Sequence, residues 1–334
     1  MNFRFSPGTM SIHIINPLMD PSGGSEWEAV QLYTILSRAG NVSLWSRYAV
    51  DPLFAERYPI RKIDPWRLKF PKTGTFIFVG IYFNIGKWIR FARPRRIIII
   101  LNTDDHAELI RKKRQLARFR RLPIETVYVG GLQPERSETG AWRIDISPID
   151  IQRFCMPPQA ALHNGSRSFT VGRLSRDVPV KHHQDDPLFY RRLASRNVAV
   201  RIMGGTVLSP VLEGVTGIEL LGGGVEDAVS FLHGIDCFYY RTAPEWNECF
   251  GRVVLEAMAC GLPAVCESRG GYSRYIRHGE NGFLFERDSE AESIIMRLRD
   301  EPGLRKAVGA AARKTVEALY SSEYISDLTA YYTR

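Results

Sequence analysis

Short apolar runs of strand length alternate with helical stretches along almost the whole chain. In the first half, such runs stand at residues 11–17, 41–46, 74–80, 95–101 and 125–131. The runs at 74–80 and 95–101 are apolar at nearly every position, as strands of a parallel sheet covered on both faces require. Helices are predicted from Glu26 over about 14 residues and over residues 104–121.

The alternation restarts after a stretch rich in Pro, Gly and Ser that follows residue 155. Further apolar runs stand at 168–174, 198–204, 217–221, 236–241, 263–267 and 282–286. Strands separated by helical stretches indicate βαβ units and parallel sheets. The chain is therefore predicted to be an α/β protein with two Rossmann-like domains, residues 1–155 and 156–316. A C-terminal segment, 317–334, carries a last helix.

The composition is ordinary for a soluble globular protein: 334 residues, 44% hydrophobic and 24% charged. No run approaches the roughly 18 to 20 uninterrupted apolar residues of a membrane-spanning helix, and the N-terminus lacks the apolar core of a secretory signal. The five cysteines include no C-x-x-C pair, which argues against a zinc ribbon or a disulfide framework. These features predict a cytoplasmic protein.

The positive net charge, +9, is confined to the first half of the chain. Residues 1–155 hold 24 Lys and Arg against 14 Asp and Glu, whereas residues 156–334 hold 21 against 22. The densest part, residues 111–121, sets basic residues beside Leu116 and Phe119 at helical spacing, a pattern typical of a helix on an anionic membrane surface. A nucleic acid is the competing polyanion, but no segment resembles a nucleic-acid recognition fold, so no nucleic-acid partner is expected. A solvated face is the third interpretation. The candidates for membrane contact are Arg111, Lys112, Lys113, Arg114 and Arg118.

The sharpest chemical signal is the segment PEWNECFGRVVLEAMACGLPAV, residues 244–265. It places a loop with Glu248 after an apolar strand, then a helix that starts near Gly251 and carries Glu256 in its second turn. Such a helix N-terminus presents free N–H groups and a positive dipole end to a phosphate. Two carboxylates at this place suit hydrogen bonds to sugar and ribose hydroxyls. The alternative is an amphipathic helix with two solvated glutamates.

ECFGRVVLEAMACGLPAV, followed by RGGYSRYIRHGENGFLF, resembles the donor-site signature of retaining GT-B glycosyltransferases, above all glycosyltransferase family 4. FTVGRL at 169–174 is similar to the family's first strand of the C-terminal domain, and PSGGSE at 21–26 resembles its N-terminal Gly-Gly loop. In the N-terminal half the resemblance covers only that loop and SPIDIQRF. It implies a GT-B fold with a deep interdomain cleft and a last helix that packs back on the N-terminal domain.

The resemblance assigns roles to individual residues. Glu256 would bind the ribose hydroxyls of a nucleotide, and Glu248 would lie near the transferred sugar. Arg173 and a lysine would neutralise the leaving diphosphate; the nearest match for that lysine is Lys181, eight residues after Arg173. The remaining donor-binding candidates are Phe250, Gly251, Arg252, Gly23, Gly24, Gly204 and Gly205. The family's Gly-Gly turn is matched by Gly270 and Gly271, but Arg274 replaces its acidic residue, which leaves the identity of the sugar open.

Breaking a glycosyl–phosphate bond builds negative charge on the departing diphosphate, which a metal can neutralise through a D-x-D motif. No two aspartates stand two residues apart in this sequence. The expectation is therefore no metal and no other cofactor. Arg173, Lys181 and the helix N-terminus at Gly251 would stabilise the charge as fixed cations and dipoles.

Histidines supply two further candidate sites. His106 follows the run 95–101 in LNTDDHAEL, at a carboxyl end where catalytic groups gather, although an ordinary helix N-terminus explains the same residues equally well. His182 and His183, with Asp185 and Asp186, could mimic a metal site. Neighbouring loop positions of this kind are expected to be solvated instead.

Together these features predict the transfer of a sugar from a nucleotide diphosphate sugar to an acceptor, with retention of anomeric configuration. The expected acceptor is a glycolipid or a surface-polysaccharide intermediate at the cytoplasmic face of a membrane. Two alternatives stay open: a GT-B sugar-nucleotide epimerase, and a non-catalytic partner subunit that binds a nucleotide or a glycan. An epimerase needs additional acid and base groups, and the presence of Glu248, Glu256 and Arg173 together favours the enzyme over the binding subunit.

Overall fold

The computed structural model describes residues 11–118, 122–134, 140–156 and 168–334, which fold as two compact units. The first unit comprises Met1–Ile149 and Ser322–Arg334, and the second comprises Asp150–Ser321. The chain passes between the units after Ile149, whereas the sequence analysis places the boundary after residue 155. Residues 157–167, most of the Pro/Gly/Ser-rich stretch at that boundary, lie outside the described residues.

A parallel sheet forms the centre of the first unit. Within the described residues its strands are β1 (Ile12–Ile15), β2 (Val42–Ser46), β3 (Ile60–Lys62), β4 (Thr73–Val79), β5 (Arg93–Leu101), β6 (Ile124–Val129) and β7 (Trp142–Asp145). Their order is β3-β2-β1-β4-β5-β6-β7. All the predicted strands are confirmed. The second half of β5 is buried on both faces of the sheet, as its uniformly apolar sequence predicts.

Helices connect these strands and cover the sheet. They are α1 (Gly24–Leu36), α2 (Pro52–Arg57) and α3 (His106–Ala117), with a short 3₁₀ helix at Lys87–Arg90. Asp105 caps α3, because its side chain accepts a hydrogen bond from the backbone N–H of Glu108 at 2.8 Å. The helix ends before residue 121, and residues 119–121, Phe119 among them, lie outside the described residues.

The second unit contains a second parallel sheet. Within the described residues its strands are β8 (Thr170–Leu174), β9 (Ala199–Met203), β10 (Ile218–Leu221), β11 (Cys237–Tyr240), β12 (Ala264–Glu267) and β13 (Phe283–Phe285). Their order is β10-β9-β8-β11-β12-β13, and every one of them coincides with a predicted apolar run.

Helices connect the strands of this sheet and pack against them. They are α4 (Asp186–Ser195), α5 (Ser209–Leu212), α6 (Ala228–His233), α7 (Arg252–Ala259), α8 (Asp288–Asp300) and α9 (Pro302–Leu319). Stacked aromatic rings link α4 to the strands: the ring centroids of Phe189 and Tyr239 are 4.8 Å apart, and those of Tyr239 and Phe285 are 5.6 Å apart. Such stacking adds to the stabilisation from buried area.

The last helix, α10 (Ser322–Thr333), belongs to the first unit although α9 belongs to the second. The hydroxyl of Tyr324 donates to Asp145 Oδ1 at 2.6 Å, and Arg143 binds Asp327 at 2.7 Å. The helix also packs against α1. These contacts hold the end of the chain on the N-terminal sheet, as the resemblance implies.

Candidate functional site

The strand order of the second sheet reverses between β8 and β11. In open parallel sheets, ligands bind beyond the carboxyl ends of the strands at such a reversal. β8 carries Arg173 close to its end, and β11 ends at Tyr240, followed by the loop that carries Glu248. The fold of the second unit thus brings sequence-predicted residues to one edge of the sheet.

Arg173 is almost fully buried, with 1% of its surface exposed. Its Nη1 donates to the backbone carbonyl of Arg241 at 2.6 Å, and its guanidinium lies over the ring of Tyr240, 4.9 Å from the centroid. Within the described part of the chain, Nε and Nη2 are buried without a hydrogen-bond acceptor. Buried N–H donors are nearly always paired, so this guanidinium is suited to an additional anionic partner.

The buried Lys181 and the half-buried Glu248 form an ion pair 67 residues apart in sequence. Tyr240 donates from its hydroxyl to the same Glu248 oxygen at 2.8 Å, and the Lys181 ammonium lies 4.8 Å from the ring centroid of Trp246. Burial alone would raise the pKa of Glu248, but the ammonium of Lys181 and the two hydrogen bonds lower it below its usual value. Tyr240 therefore contacts Arg173 through the face of its ring and Glu248 through its hydroxyl.

Helix α7 begins at Arg252, shortly after Glu248 in the chain. Its N-cap, Gly251, has φ of 74°, and a Cβ there would lie 2.4 Å from the ring of Tyr272. Only glycine meets both demands without strain. Helix α7 has Arg252 as its first residue and Phe250 and Gly251 before it, so the positive end of its dipole lies beside the Glu248 loop.

Glu256 lies in the second turn of α7 and is buried, with Oε1 accepting from Arg252 Nε at 2.8 Å. Burial raises the pKa of its carboxyl, and the neighbouring Arg252 only partly opposes this rise. The interpretation of the motif as solvated glutamates is therefore wrong for Glu256. A carboxylate offers about four lone-pair sites, so Glu256 can accept further hydrogen bonds from hydroxyl groups.

Two backbone contacts hold the Glu248 loop in place, and sequence reasoning missed one of them. The N–H of Gly271 donates to the carbonyl of Glu248 at 2.7 Å, and a Cβ on Gly271 would lie 1.7 Å from the carbonyl oxygen of Cys249. On the other side, the guanidinium of Arg269 donates to four carbonyls between Thr242 and Trp246 at 3.0–3.2 Å. Sequence reasoning assigned Arg269 no role, although it directly precedes the Gly-Gly turn, because the carbonyls that it binds lie more than 20 residues earlier in the chain.

A buried ionic network lies beneath the site. Asp186 is completely buried and accepts from Arg241 Nε at 2.6 Å; its other oxygen lies 3.5 Å from Arg173 Nη1. Arg241 also binds Asp288 at 2.6 Å, which ties the network to α8. The expectation that residues 182–186 are a solvated loop is wrong for Asp186, because two arginines on β8 and after β11 neutralise it.

His182 is also buried rather than solvated. Its Nε2 lies 2.8 Å from the carbonyl oxygen of Gly204, at the turn after β9. Gly205 follows in the same turn and donates to the carbonyl of Leu221 at 3.1 Å. Gly204 and Gly205 thus join the ends of neighbouring strands beside Arg173. Burial and the adjacent guanidinium of Arg173 lower the pKa of His182 to about 4.

This pKa predicts how stability depends on pH. An unfolded histidine titrates near 6.5, so below that pH the unfolded state takes up a proton that the folded state refuses until about pH 4. The free energy of unfolding should fall as the pH drops through this window. His182→Gln keeps a donor for Gly204 and does not titrate, so urea unfolding followed by circular dichroism should show a smaller loss in the variant. An equal loss in both proteins would contradict the assignment.

In the first unit, the predicted Gly-Gly loop precedes α1: Gly23 is its N-cap and Gly24 its first residue. The helix places two buried carboxylates behind the loop, Glu26 and Glu28. Asn102, at the end of β5, donates to Glu28 at 3.0 Å. This buried acidic pair carries no sequence motif, and sequence reasoning missed it.

His106 is the first residue of α3, at the carboxyl end of β5. Its ring centroid lies 6.0 Å from that of Tyr128, and Nε2 lies 3.7 Å from Asp104 Oδ1. Asp105 accepts from the hydroxyl of Tyr82 at 2.9 Å in addition to capping the helix. The segment Asp104–His106 is therefore both a capped helix start and the position of a histidine at the carboxyl edge of the sheet.

The basic segment on α3 separates into exposed and buried positions. Lys112 is 4% exposed; its ammonium donates to the carbonyl of Phe83 and lies over that ring at 5.3 Å. Burial lowers the pKa of this ammonium. Lys112 shares the inner side of the helix with Leu109 and Leu116, so its assignment to a membrane-contact surface is wrong. The exposed positions are Arg111, Arg114 and Arg118, and Lys113 is half-buried.

Two further features of the described residues concern metals and membranes. Among those residues, no three His, Cys, Asp or Glu side chains come together closely enough to hold a metal ion. No helix in the same part of the chain is both long and apolar enough to cross a lipid bilayer.

Sequence comparison connects the motif region to a known family. Residues 216–315 match the profile described as Glycosyl transferases group 1, a segment that contains Glu248, Gly251 and Glu256. The chain is 35% identical over 102 residues to the D-inositol 3-phosphate glycosyltransferase of Thermomonospora curvata, covering 28% of this chain and 24% of the relative. It is 40% identical over 82 residues to the N-acetyl-alpha-D-glucosaminyl L-malate synthase of Bacillus anthracis, covering 24% and 21%. The matched stretches thus span about a quarter of these relatives.

Structural comparison covers almost the whole chain. The Anabaena protein HepE, solved in complex with UDP-glucose, superposes with a TM-score of 0.67 at 16% identity, over 96% of this chain and 98% of HepE. WaaG, a glycosyltransferase involved in lipopolysaccharide biosynthesis, superposes with a TM-score of 0.68 at 13% identity, over 96% and 99%. The chain has the GT-B fold. The predicted fold class is thereby confirmed.

Proposed function

We propose that this GT-B protein is a retaining, metal-independent glycosyltransferase that uses a nucleotide diphosphate sugar as donor. The observation that carries the proposal is the set of groups at the β8–β11 edge. Two buried N–H donors of Arg173, without acceptors among the described residues, belong to this edge together with the ammonium of Lys181 and the N-terminus of α7. A diphosphate is the ligand whose charge and oxygen count suit such a set.

Glu256 completes the nucleotide site in this proposal. Its carboxylate is buried and held by Arg252, which leaves acceptor capacity for two adjacent hydroxyls. A ribose supplies a pair of hydroxyls at this spacing. The position of Glu256 one turn into α7 would set the ribose beside a diphosphate at the helix N-terminus.

The chemistry assigned to the site is charge stabilisation. The bond between the sugar C1 and the diphosphate oxygen breaks, and its electron pair stays on the departing nucleoside diphosphate. The acceptor hydroxyl oxygen bonds to C1 and releases its proton to the departing phosphate. Arg173 and Lys181 stabilise the negative charge that develops on the leaving group, as fixed donors do in acyl-transfer sites. Glu248, held ionised by Lys181 and Tyr240, would orient the sugar.

The finer assignments rest on the family resemblance and on the named relatives. Retention follows from the resemblance to family 4. The relatives are named for transfer to D-inositol 3-phosphate and to L-malate, and WaaG for lipopolysaccharide biosynthesis. For this chain we assign a glycolipid or surface-polysaccharide acceptor, with His106 at the acceptor side, because the basic charge lies in the first unit. UDP is the first nucleotide to test, since HepE was solved with UDP-glucose.

Peripheral contact with an anionic membrane at the cytoplasmic face belongs to the same proposal. Arg111, Arg114 and Arg118 point outward from α3. Anionic lipid attracts each Lys or Arg near its surface by about 1 kcal/mol. Such a contact would bring the first unit to a lipid-linked acceptor.

Nucleotide binding gives the direct test. Thermal shifts with UDP, GDP, ADP and dTDP should identify one nucleotide that stabilises the protein. Glu256→Gln should weaken its binding by about 1.5–3 kcal/mol, the usual range for a hydrogen bond to a charged group. Glu317→Gln is the matched control, because Arg313 and Glu317 form the same i,i+4 pair on α9 at 2.7 Å. Equal affinity in the Glu256 variant would remove this residue from the site.

Turnover of the matching nucleotide sugar separates an enzyme from a binding subunit. Slow hydrolysis without acceptor should release the nucleoside diphosphate, and this release should persist in EDTA. Activity that disappears in EDTA and returns with Mg²⁺ or Mn²⁺ would contradict the metal-independent assignment.

A further inference from the structure

A six-residue turn in the first unit, Asp64 to Lys69, exposes two large apolar side chains. Trp66 is 97% exposed and Leu68 is 68% exposed. Single exposed apolar residues are common on protein surfaces, but an almost fully exposed tryptophan beside an exposed leucine is not. The turn lies between β3 and β4.

Hydrogen bonds hold this turn in one conformation. The backbones of Asp64 and Lys69 exchange two hydrogen bonds, at 2.7 and 2.9 Å. The Asp64 side chain accepts from the N–H groups of Trp66 and Arg67, and the N–H of Leu68 donates to Pro65 at 3.2 Å. Leu68 has φ of 53°, a conformation that leucine rarely adopts. The turn therefore presents Trp66 and Leu68 outward on a closed scaffold.

The surroundings of the turn are strongly basic. Residues 57–72 contain six Lys and Arg and one acidic residue, Asp64. Five of these cations are exposed in the structure around the apolar tip: Arg61, Lys62, Arg67, Lys69 and Lys72. The residue that follows the turn, Phe70, packs on the 3₁₀ helix Lys87–Arg90, because its ring centroid lies 6.1 Å from that of Trp88. That segment exposes Phe91 and carries the cations Lys87 and Arg90.

The two faces of the first sheet differ in character. Side chains alternate along β7, so Trp142 and Ile144 lie on the face opposite to Arg143 and Asp145, which contact α10. Trp142 and Ile144 are both exposed. The face covered by α10 carries instead acidic and small polar side chains of that helix, such as Glu323 and Asp327. Trp142 and Ile144 thus add exposed apolar surface on the face of β7 that does not contact α10.

We infer that the turn Asp64–Lys69 is a membrane-insertion element, with Trp66 and Leu68 entering the headgroup region of an anionic bilayer. The inference deepens the membrane contact proposed above and rests on it, but it assigns the apolar part of that contact to a different segment from α3. Tryptophan prefers the membrane interface because its ring is apolar with one polar N–H. The surrounding cations match anionic headgroups. Apolar insertion and charge attraction together give more stable membrane binding than charge attraction alone.

The test uses the full chain with vesicles of phosphatidylcholine, with and without about one third phosphatidylglycerol. The variant combines Trp66→Ser with Leu68→Asn, because asparagine tolerates the left-handed conformation at position 68. Its partition onto anionic vesicles should fall by about tenfold or more, given the apolar area withdrawn from the lipid. Leu188→Asn is the matched control, since Leu188 is comparably exposed, at 63%, on α4 of the second unit. It should leave partition unchanged.

Two further measurements distinguish insertion of the turn from adsorption through charge alone. Bromine-labelled phosphatidylcholine should quench the part of the tryptophan emission that Trp66→Ser removes, and unquenched emission would overturn the inference. Neutralising Arg111, Arg114 and Arg118 tests α3 alone; if this abolishes binding while the Trp66/Leu68 variant binds like wild type, the turn is not the insertion element.

Wild-type protein that ignores anionic vesicles would also overturn the inference and leave a protein partner for the turn. Nucleotide binding serves as the independent readout. Wild-type protein that binds anionic vesicles but none of the nucleotides would refute the glycosyltransferase proposal and leave the membrane-insertion element standing.

Discussion

Replacing Lys181 by methionine is expected to lower sugar-nucleotide turnover by about a hundredfold or more, the range found when one fixed donor to a developing oxyanion is removed. The ammonium is buried against Glu248 and over the ring of Trp246. Methionine keeps most of the apolar stem, so packing on Trp246 is retained while the charge is lost. Among the described residues, Glu248 then keeps the hydrogen bond from Tyr240 and the more distant charge of Arg176, and burial raises the pKa of its carboxyl relative to wild type.

Steady-state kinetics checks this expectation. The loss should appear mainly in kcat, because Lys181 acts on charge that develops as the bond breaks. Lys306→Met on the exposed side of α9 is the control for a general loss of positive charge, and it should turn over like wild type. A Lys181 variant with turnover within about twofold of wild type would exclude this residue from leaving-group stabilisation.

Replacing Asp186 by alanine is expected to destabilise the second unit by about 3–5 kcal/mol, the usual consequence of removing one partner of a buried ion pair. The carboxylate accepts hydrogen bonds from Arg241, from the hydroxyl of Tyr239 at 3.3 Å and from the backbone N–H of His183 at 3.1 Å. Alanine would leave two guanidiniums, those of Arg241 and Arg173, buried without their shared carboxylate. Urea unfolding of wild type and variant measures the difference.

Asp185 supplies a control one residue away. Its side chain is 55% exposed and, although Asp185 occupies the N-cap of α4, it makes no capping hydrogen bond. Asp185→Ala should therefore change the free energy of unfolding by no more than about 0.5 kcal/mol. Similar losses in the two variants would indicate a general effect at the start of α4 rather than a buried ionic network.

The strands could be predicted because their signal is local. A buried parallel strand needs several consecutive apolar residues, and β4, β5 and β11 show them directly. β3 and β7, which the analysis missed, are edge strands of three and four residues with few buried positions. Edge strands of this length owe their conformation to pairing with a neighbour rather than to their own sequence.

The candidate site was predictable in part for the same reason. Glu248, Gly251 and Glu256 share one loop and one helix, so their spacing already places them together. The family resemblance added Arg173 and Lys181, and the sheet brings both to the same edge. Sequence reasoning gave no role to Tyr240 or Arg269, although both stand next to quoted segments, because their contacts with the Glu248 loop form only in the fold.

Burial of charged groups is where sequence reasoning was wrong. Lys112 belongs to a run of basic residues and Asp186 to a polar loop, and both patterns are typical of solvated segments. Each is buried because it meets a partner far away in the chain: the carbonyl of Phe83 for the lysine and the guanidinium of Arg241 for the aspartate.

The sequence by itself determined the α/β alternation, the two sheets and the helix start at Gly251, because each depends on residues within one turn or one strand. Only the tertiary structure decided which charges pair, since an ion pair such as Lys181–Glu248 forms between residues that the fold alone brings together. It also decided that Trp66 remains in solvent while Trp88 is buried. Burial is set by what packs on a side chain, and packing partners are not neighbours in sequence.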